Sequence, residues 1–324
     1  MNQPLPGKYQ LSKLTIGKIK ALVENCELDD AFIDLLKNDD RSGVNEIAHK
    51  IIRKRERAQR QLERQREMSY FEDGLRKKGK GLIAGVDEAG RGPLAGPVVA
   101  AAVVLPDDFY CPGLDDSKKI PSHRREELFE KITEHAVTWG IGLIDNVEID
   151  NTNILSAAMR AMRDAVGTMK FAPDVALVDG DRSPRLSCDE RLVVSGDSRC
   201  RVIAAASIIA KVTRDRIMRD LDAVYPQYGF ASHKGYGAGS HVDAIRHYGP
   251  CDIHRISFKL VPRVAPRGTT AEVLKKRLLN APNREEFRRT VRAIARMREY
   301  INAHDIAVLR DIYRSCYRRF SQPQ

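Results

Sequence analysis

Between residues 82 and 224, short apolar runs alternate with longer stretches of helical periodicity, and that rhythm restricts the chain to an α/β architecture. Residues 82–86, 98–105 and 137–143 read as strands separated by turn residues, and a helical stretch follows from about Ile154 to Met169. Residues 174–178 and 191–194 add two short strands, each running into an acidic residue. From 202 to about 224 the spacing predicts a long helix, with Ala204, Ala205, Ile208, Ile209, Val212, Ile217 and Leu221 on its buried side.

The flanks have a different pattern. Leu14, Ile19, Leu22 and Val23, then Phe32, Leu35 and Leu36, recur at helical spacing, and residues 46–70 continue as a highly charged stretch ending in Tyr70-Phe71. Gly79-Lys80-Gly81 marks the expected boundary. Beyond Pro262 the strands stop. Asn283 followed by Glu286 has the form of a capping box, Phe287, Val291, Ile294 and Ile301 make one apolar stripe, and Leu309, Ile312, Tyr313, Cys316, Tyr317 and Phe320 make a second. The predicted division is a helical extension over 1–78, an α/β domain over 79–262 and a basic helical hairpin over 263–324.

With 324 residues, 42% of them hydrophobic, the chain can bury an ordinary soluble core. No apolar run approaches the roughly 20 residues of a membrane span. The opening Met1-Asn2-Gln3-Pro4-Leu5-Pro6 lacks the basic-then-apolar layout of a signal peptide, so a cytoplasmic protein with no membrane partner is expected. Cys26, Cys111, Cys188, Cys200, Cys251 and Cys316 show no Cys-x-x-Cys spacing, which argues against zinc and against a disulfide framework. His233, His241, His247 and His254 share one region, but their spacings of 8, 6 and 7 residues fit no compact ligand motif, and no histidine metal site is expected.

The formal charge of +11 sits in the flanks. Residues 50–80 hold 12 Lys and Arg against 5 Asp and Glu, residues 263–324 hold 15 against 6, and the centre, 81–262, holds 22 against 25. An acidic centre framed by basic flanks suits an enzyme that gathers cations and surrounds a polyanion; solvated helical faces are the alternative.

In that centre, Gly85-Val86-Asp87-Glu88-Ala89-Gly90-Arg91-Gly92 sets two carboxylates at the end of an apolar run. Alone, such a dipeptide reads first as a solvated turn. Asp179 and Asp197, however, also follow apolar runs and touch a glycine, and strand ends are where ligands gather in open α/β sheets. Four clustered carboxylates repel unless cations neutralise them, and with no Cys/His set present the expected ions are Mg²⁺ or Mn²⁺.

Residues 82–262 resemble bacterial ribonuclease HII, the type 2 ribonuclease H family. The resemblance rests on Gly85 through Val98, Leu114-Asp115-Asp116-Ser117-Lys118-Lys119, Val178-Asp179-Gly180, Gly196-Asp197-Ser198, Ala205 through Asp215, and His233-Lys234-Gly235-Tyr236-Gly237. It implies a ribonuclease H-like mixed sheet flanked by helices, with the family's acids falling on Asp87, Glu88, Asp179 and Asp197. It further implies hydrolysis of the RNA strand of RNA–DNA hybrids, and incision 5′ to a single ribonucleotide in duplex DNA, leaving a 3′-hydroxyl and a 5′-phosphate. Two metals about 3.5–4 Å apart can activate water and stabilise the leaving oxygen in such a reaction. Asp87 is then the bridging carboxylate, Glu88 and Asp179 are further ligands, and Asp197 completes the second metal or positions water.

Ribose is told from deoxyribose by its 2′-hydroxyl. Gly90, Arg91 and Gly92 let the backbone approach a sugar-phosphate while Arg91 forks onto a phosphate, and Tyr236 takes the family's junction-reading position. The resemblance adds Ser117, Lys118 and Lys211 as phosphate contacts. Gly-Arg-Gly after the Asp-Glu pair, and Asp at position 197, favour ribonuclease HII over ribonuclease HIII, which prefers longer hybrids. A non-catalytic duplex-binding protein is the alternative from another class, and a Mg²⁺ requirement for cleavage separates the two. The charge of both extensions points to duplex-backbone binding, whose loss on truncation would flatten the salt dependence; docking of a replication or repair protein is the other reading. A monomer is expected.

Overall fold

The computed structural model describes residues 3–4, 11–266, 268–296, 298 and 301–321. Gln3–Pro4 (β1) pairs in parallel with Cys26–Glu27 (β2). Thr15 caps α1 (Ile16–Asn25), and Asp29 accepts the Phe32 N–H at 2.7 Å to start α2 (Asp30–Lys37). The long α3 (Ser42–Met68) follows. Leu11, Ile19, Phe32, Leu36, Val44, Ile47 and Ala48 close a small core. Residues 1–67 form one compact unit and residues 68–324 a second.

The second unit begins with α4 (Tyr70–Arg76) and continues through β3 (Ile83–Ala89), β4 (Val98–Val104), α5 (Ser122–His135), β5 (Thr138–Ile144), α6 (Asn146–Asn151), α7 (Ile154–Gly167), β6 (Val175–Asp179), β7 (Asp189–Val193) and α8 (Arg201–Val224). The sheet order is β5-β4-β3-β6-β7. β3 and β4, and β4 and β5, run antiparallel, whereas β3, β6 and β7 run parallel. This is the expected mixed sheet flanked by helices.

Strand pleating sorts the core into two layers. Ile83, Ala101, Val103, Val175 and Leu177 face α8, while Ala84, Val86, Ala100, Ala102, Ala176 and Val178 face α7. Alanines in the central strands let both helices approach closely. At Gly85 the approach is closest: a Cβ there would lie 2.1 Å from the Val202 carbonyl carbon, so any side chain would push α8 off the sheet.

The acidic pair lies inside a strand, where sequence spacing set it after one. Pairing of Asp87 with Ala101 and of Glu88 with Ala100 carries β3 on to Ala89. Beyond α8 come α9 (Phe230–His233), α10 (Gly239–Tyr248), α11 (Leu260–Val264), α12 (Thr269–Leu279), α13 (Arg284–Arg296) and α14 (Ala303–Ser321). Three helices therefore follow residue 266, where a hairpin of two was expected, because Ala271, Val273, Leu274 and Leu278 give α12 an apolar face of its own. These helices share a core with Leu94, Met218, Phe230, Ile245, Ile256 and Val261.

One clamp ties α12 to the sheet region. The fully buried Asp150 of α6 accepts from the Ile256 and Ser257 N–H groups at 3.0 and 2.8 Å and from Arg277 at 3.2 Å. Arg277 also donates to the carbonyls of Asp252 and His254 at 2.9 and 3.1 Å.

Candidate active site

β3 and β6 run parallel with Val86 opposite Val178, so Asp87 and Asp179 occupy neighbouring positions at the same strand end. Residues 83, 85 and 87 of β3 and 175, 177 and 179 of β6 share the α8 side of the pleat. Glu88 therefore leaves the strand on the other side. After β7, Ser195 adopts a left-handed φ of 56° and starts a 3₁₀ turn over Gly196–Ser198. That turn aims the Gly196 N–H at Asp179 Oδ1, 2.7 Å away, and carries Asp197 to the same end of the sheet.

Burial and like charge act together on these acids. Asp87 is driven well above the usual carboxylate range by burial, then by the charges of Glu88 and Asp179. Burial also raises Glu88, against the pull of Arg91, whose Nη1 lies 3.2 Å from Glu88 Oε1. Asp179 is raised by burial despite the Gly196 N–H. Lys118 meets Asp197 at 3.3 Å; burial opposes its charge, yet Asp197 and Asp116 hold its pKa above the ordinary lysine value.

Ser207 on α8 hydrogen-bonds Asp87, and its Oγ lies 2.9 Å from that of Ser117. With Asp87 ionised the carboxylate only accepts, so Ser207 donates to it and Ser117 donates to Ser207. Ser117 is thus buried beside Ser207. Lys211 is likewise engaged: its Nζ lies 2.5 Å from Asp215 Oδ1, one helical turn on, and 5.9 Å from the centre of the Tyr236 ring.

The Gly90-Arg91-Gly92 turn is shaped by two buried arginines that the sequence reading missed. Arg255 donates to the carbonyls of Gly90, Arg91, Pro93, Gly96 and Pro97. Arg214 donates to Pro97, Ala95 and Lys234 at 2.9, 3.1 and 3.0 Å. Burial pulls the two guanidinium pKa values down, to about 9 for Arg255 and about 10 for Arg214, so both stay charged at neutral pH. Gly90, at φ 98°, has no room for a Cβ, which would sit 2.2 Å from Arg214 Nε. Arg214 had a signal in the sequence, a charge on the apolar stripe of α8. Arg255 had none.

Tyr236 is 44% exposed, and its ring edge lies 3.6 Å from where a Cβ on Gly92 would be. Histidines hold its loop from beneath. The Cys251 N–H donates to His254 Nδ1 at 2.9 Å, so His254 donates from Nε2 to His241 Nε2 at 3.1 Å, and His241 Nδ1 donates to the Tyr236 carbonyl at 2.8 Å. His233 stacks on His241, with ring centres 4.4 Å apart. Folding thus gathers three of the four histidines that linear spacing kept separate, His254 and His241 as a hydrogen-bonded relay and His233 stacked upon it. All six cysteines are free thiols.

Residues 84–261 match the family model described as Ribonuclease HII, and residues 15–76 match Ribonuclease HII N-terminal domain. Ribonuclease HII of Acetivibrio thermocellus is 47% identical over 250 residues, covering 76% of this chain and 98% of that protein. Ribonuclease HII of Clostridioides difficile is 46% identical over 246 residues, covering 75% and 96%. Among solved structures, ribonuclease H2 from Pyrococcus horikoshii OT3 is similar at 28% identity and a TM-score of 0.49, covering 57% of this chain and 97% of that one. The chain belongs to the ribonuclease HII family. It is accordingly an endonuclease hydrolase acting on RNA in RNA–DNA hybrids, in a family that depends on divalent metal. No helix among the described residues is long and apolar enough to cross a membrane.

The donor set suits a hard cation, since Asp87, Glu88, Asp179 and Asp197 offer only oxygen and their mutual repulsion is what a cation relieves. Among the described residues, no three Asp, Glu, His or Cys side chains are arranged to hold an ion as they stand. Small hard cations typically take one or two carboxylates and complete their shell with water and substrate phosphate, so an open acidic end fits them better than a closed cage would.

Proposed function

We propose that this enzyme, besides cutting RNA in hybrids, incises duplex DNA on the 5′ side of a single embedded ribonucleotide, leaving a 3′-hydroxyl and a 5′-phosphate. The observation that carries the reading is the seating of Tyr236 against Gly92 at the mouth of the acidic end. A tyrosine fixed beside a glycine turn meets the sugar of one nucleotide, and the 2′-hydroxyl is what distinguishes that sugar.

Asp87, Asp179 and Glu88 would hold the ion. When bound, Mg²⁺ or Mn²⁺ supplies an activated water and charge stabilisation at the leaving oxygen. Asp197, paired with Lys118, orients water at the edge of the cluster. Arg91 exchanges its contact with Glu88 for a phosphate oxygen, and the Gly90 and Gly92 backbone lies along the sugar. Ser117 acts through Ser207 on Asp87, and Lys211 supports the face of Tyr236. We read the chain as a cytoplasmic monomer with no membrane partner, whose catalytic portion spans 79–262 between extensions at 1–78 and 263–324.

Cleavage of a DNA duplex carrying one ribonucleotide, run beside an all-DNA duplex and a long RNA–DNA hybrid with Mg²⁺ or Mn²⁺, tests this. Incision 5′ to the ribonucleotide, lost in Tyr236→Ala to a greater degree than cleavage of the long hybrid, is expected. Cleavage of the long hybrid alone would overturn the single-ribonucleotide reading in favour of a ribonuclease HIII-like preference.

A further inference from the structure

The helices beyond residue 266 lie outside both family matches, and they carry a cleft of their own between α13 and α14. It encloses about 260 Å³. Arg284, Arg288 and Arg292 line one side; Tyr313, Tyr317 and Phe320 line the other. We propose that this cleft is a phosphate-backbone site for the nucleic-acid duplex, gripping the substrate away from the nucleotide that is cut. The identity of that duplex rests on the function proposed above.

The arginines repeat every fourth residue, so they form a row on one helix face with about 6 Å between successive turns. Among the described residues no carboxylate pairs with any of the three. Their neighbour Arg289 differs: turned toward α6, it takes Glu148, Glu285 and Glu286 at 3.0, 2.8 and 2.5 Å. Glu148, Glu285 and Glu286 are thus taken by Arg289, and among the described residues the row of three is left without a carboxylate. An exposed row of positive charge at this spacing offers successive contacts to a strand of phosphates, which is a row of anions.

The aromatic side is ordered by ring contacts, Phe287 stacked on Tyr313 with ring centres 5.6 Å apart and Tyr317 tilted against Tyr313 at 5.4 Å. Tyr317 is 47% exposed, so this side of the cleft reaches the surface.

Sheet register puts this cleft's helix on the acids' side of the molecule. Ala89 pairs with Val99 and Val98 with Ile144, so the end of β5 that leads into α6 is the sheet end bearing Asp87 and Glu88. The Arg289–Glu148 pair then fastens α13 to α6 at that end.

The experiment uses the full chain without divalent metal, so that binding is read apart from cleavage. Fluorescence anisotropy of a 24-base-pair DNA duplex with one central ribonucleotide is followed across salt concentrations for the wild type, R284A/R288A/R292A and R284K/R288K/R292K. Three phosphate contacts predict a slope of log affinity against log salt that is shallower by about 2–3 in the alanine variant, at roughly 0.9 per contact, and retained in the lysine variant. An unchanged slope and affinity in an alanine variant that melts like the wild type would overturn the proposal, and so would a lysine variant that loses as much slope while folded. Wild type that binds the duplex yet cuts neither it nor a hybrid would refute the proposed function alone, because the slope comparison decides the cleft independently.

Discussion

Arg255 Nη2 donates to the Gly90 carbonyl at 2.6 Å, across 165 residues of sequence, and the same guanidinium spans four more carbonyls of that loop. A buried charge is here balanced by peptide dipoles. Arg255→Lys cannot span them, because a lysine ammonium is a point donor and a guanidinium is a fork. Each carbonyl left bare costs about 1–3 kcal/mol, so a stability loss of several kcal/mol by urea unfolding is expected, with a raised KM. A loss under about 1 kcal/mol would mean that the loop holds its own shape.

Asp87 binds its proton more tightly in the folded state, through burial and then Glu88 and Asp179. The sign follows: the folded state holds more protons than the unfolded one above the ordinary aspartate range, so this group lowers stability as pH rises through that window. Asp87→Asn should therefore melt higher than wild type at pH 8 in EDTA, with a smaller difference at pH 5. Divalent metal should raise the wild-type Tm and leave the variant little changed. Cleavage by the variant should fall by more than the roughly 10–100-fold typical of an outer-shell change. A variant no more stable than wild type at pH 8 would contradict this account of the site.

Ser207 reaches Asp87 without being an acid itself. Ser207→Ala removes that hydrogen bond and leaves Ser117 without its acceptor, so a roughly 10–100-fold loss in metal affinity or activity is expected from metal titrations of the cleavage rate. Saturating metal should recover part of the rate. No shift in the titration would confine Ser207 to packing.

His241 and His254 are pulled down by burial, to about 4 and about 3, and each relay bond requires the neutral ring. The unfolded chain binds protons at these rings that the folded chain refuses. Stability is therefore present above about pH 6.5 and declines as pH falls toward 4, by up to on the order of 3 kcal/mol per ring. Urea midpoints measured at several pH values should show this slope, and it should flatten in His254→Gln. An equal slope in the variant would assign the acid loss to other groups.

Arg277 is the guanidinium that Asp150 faces from α12, at 3.2 Å. Removing one member of a buried pair strands the other charge, and Arg277→Ala should cost about 3–5 kcal/mol in thermal or urea unfolding. Asp150→Asn in the same background should restore part of it. Additive losses would show that the two residues act separately.

Much of this molecule was legible in local pattern. Alternation of apolar runs and helical stretches located all five strands of the sheet and the long helix α8, since period two and period 3.6 reflect which side of an element meets the core. The ordered motifs were enough to place the chain in its family. Three things lay beyond local reading. Strand β3 continues through Asp87 and Glu88 because β4 is there to pair with it, and the pleat then divides the two acids between opposite faces. Ser207, Arg214 and Arg255 act through partners 90 to 165 residues away, and His233, His241 and His254 meet only when their loops pack. Linear spacing holds no information about such contacts, because a hydrogen bond between distant residues exists only once the sheet has set the distance between them.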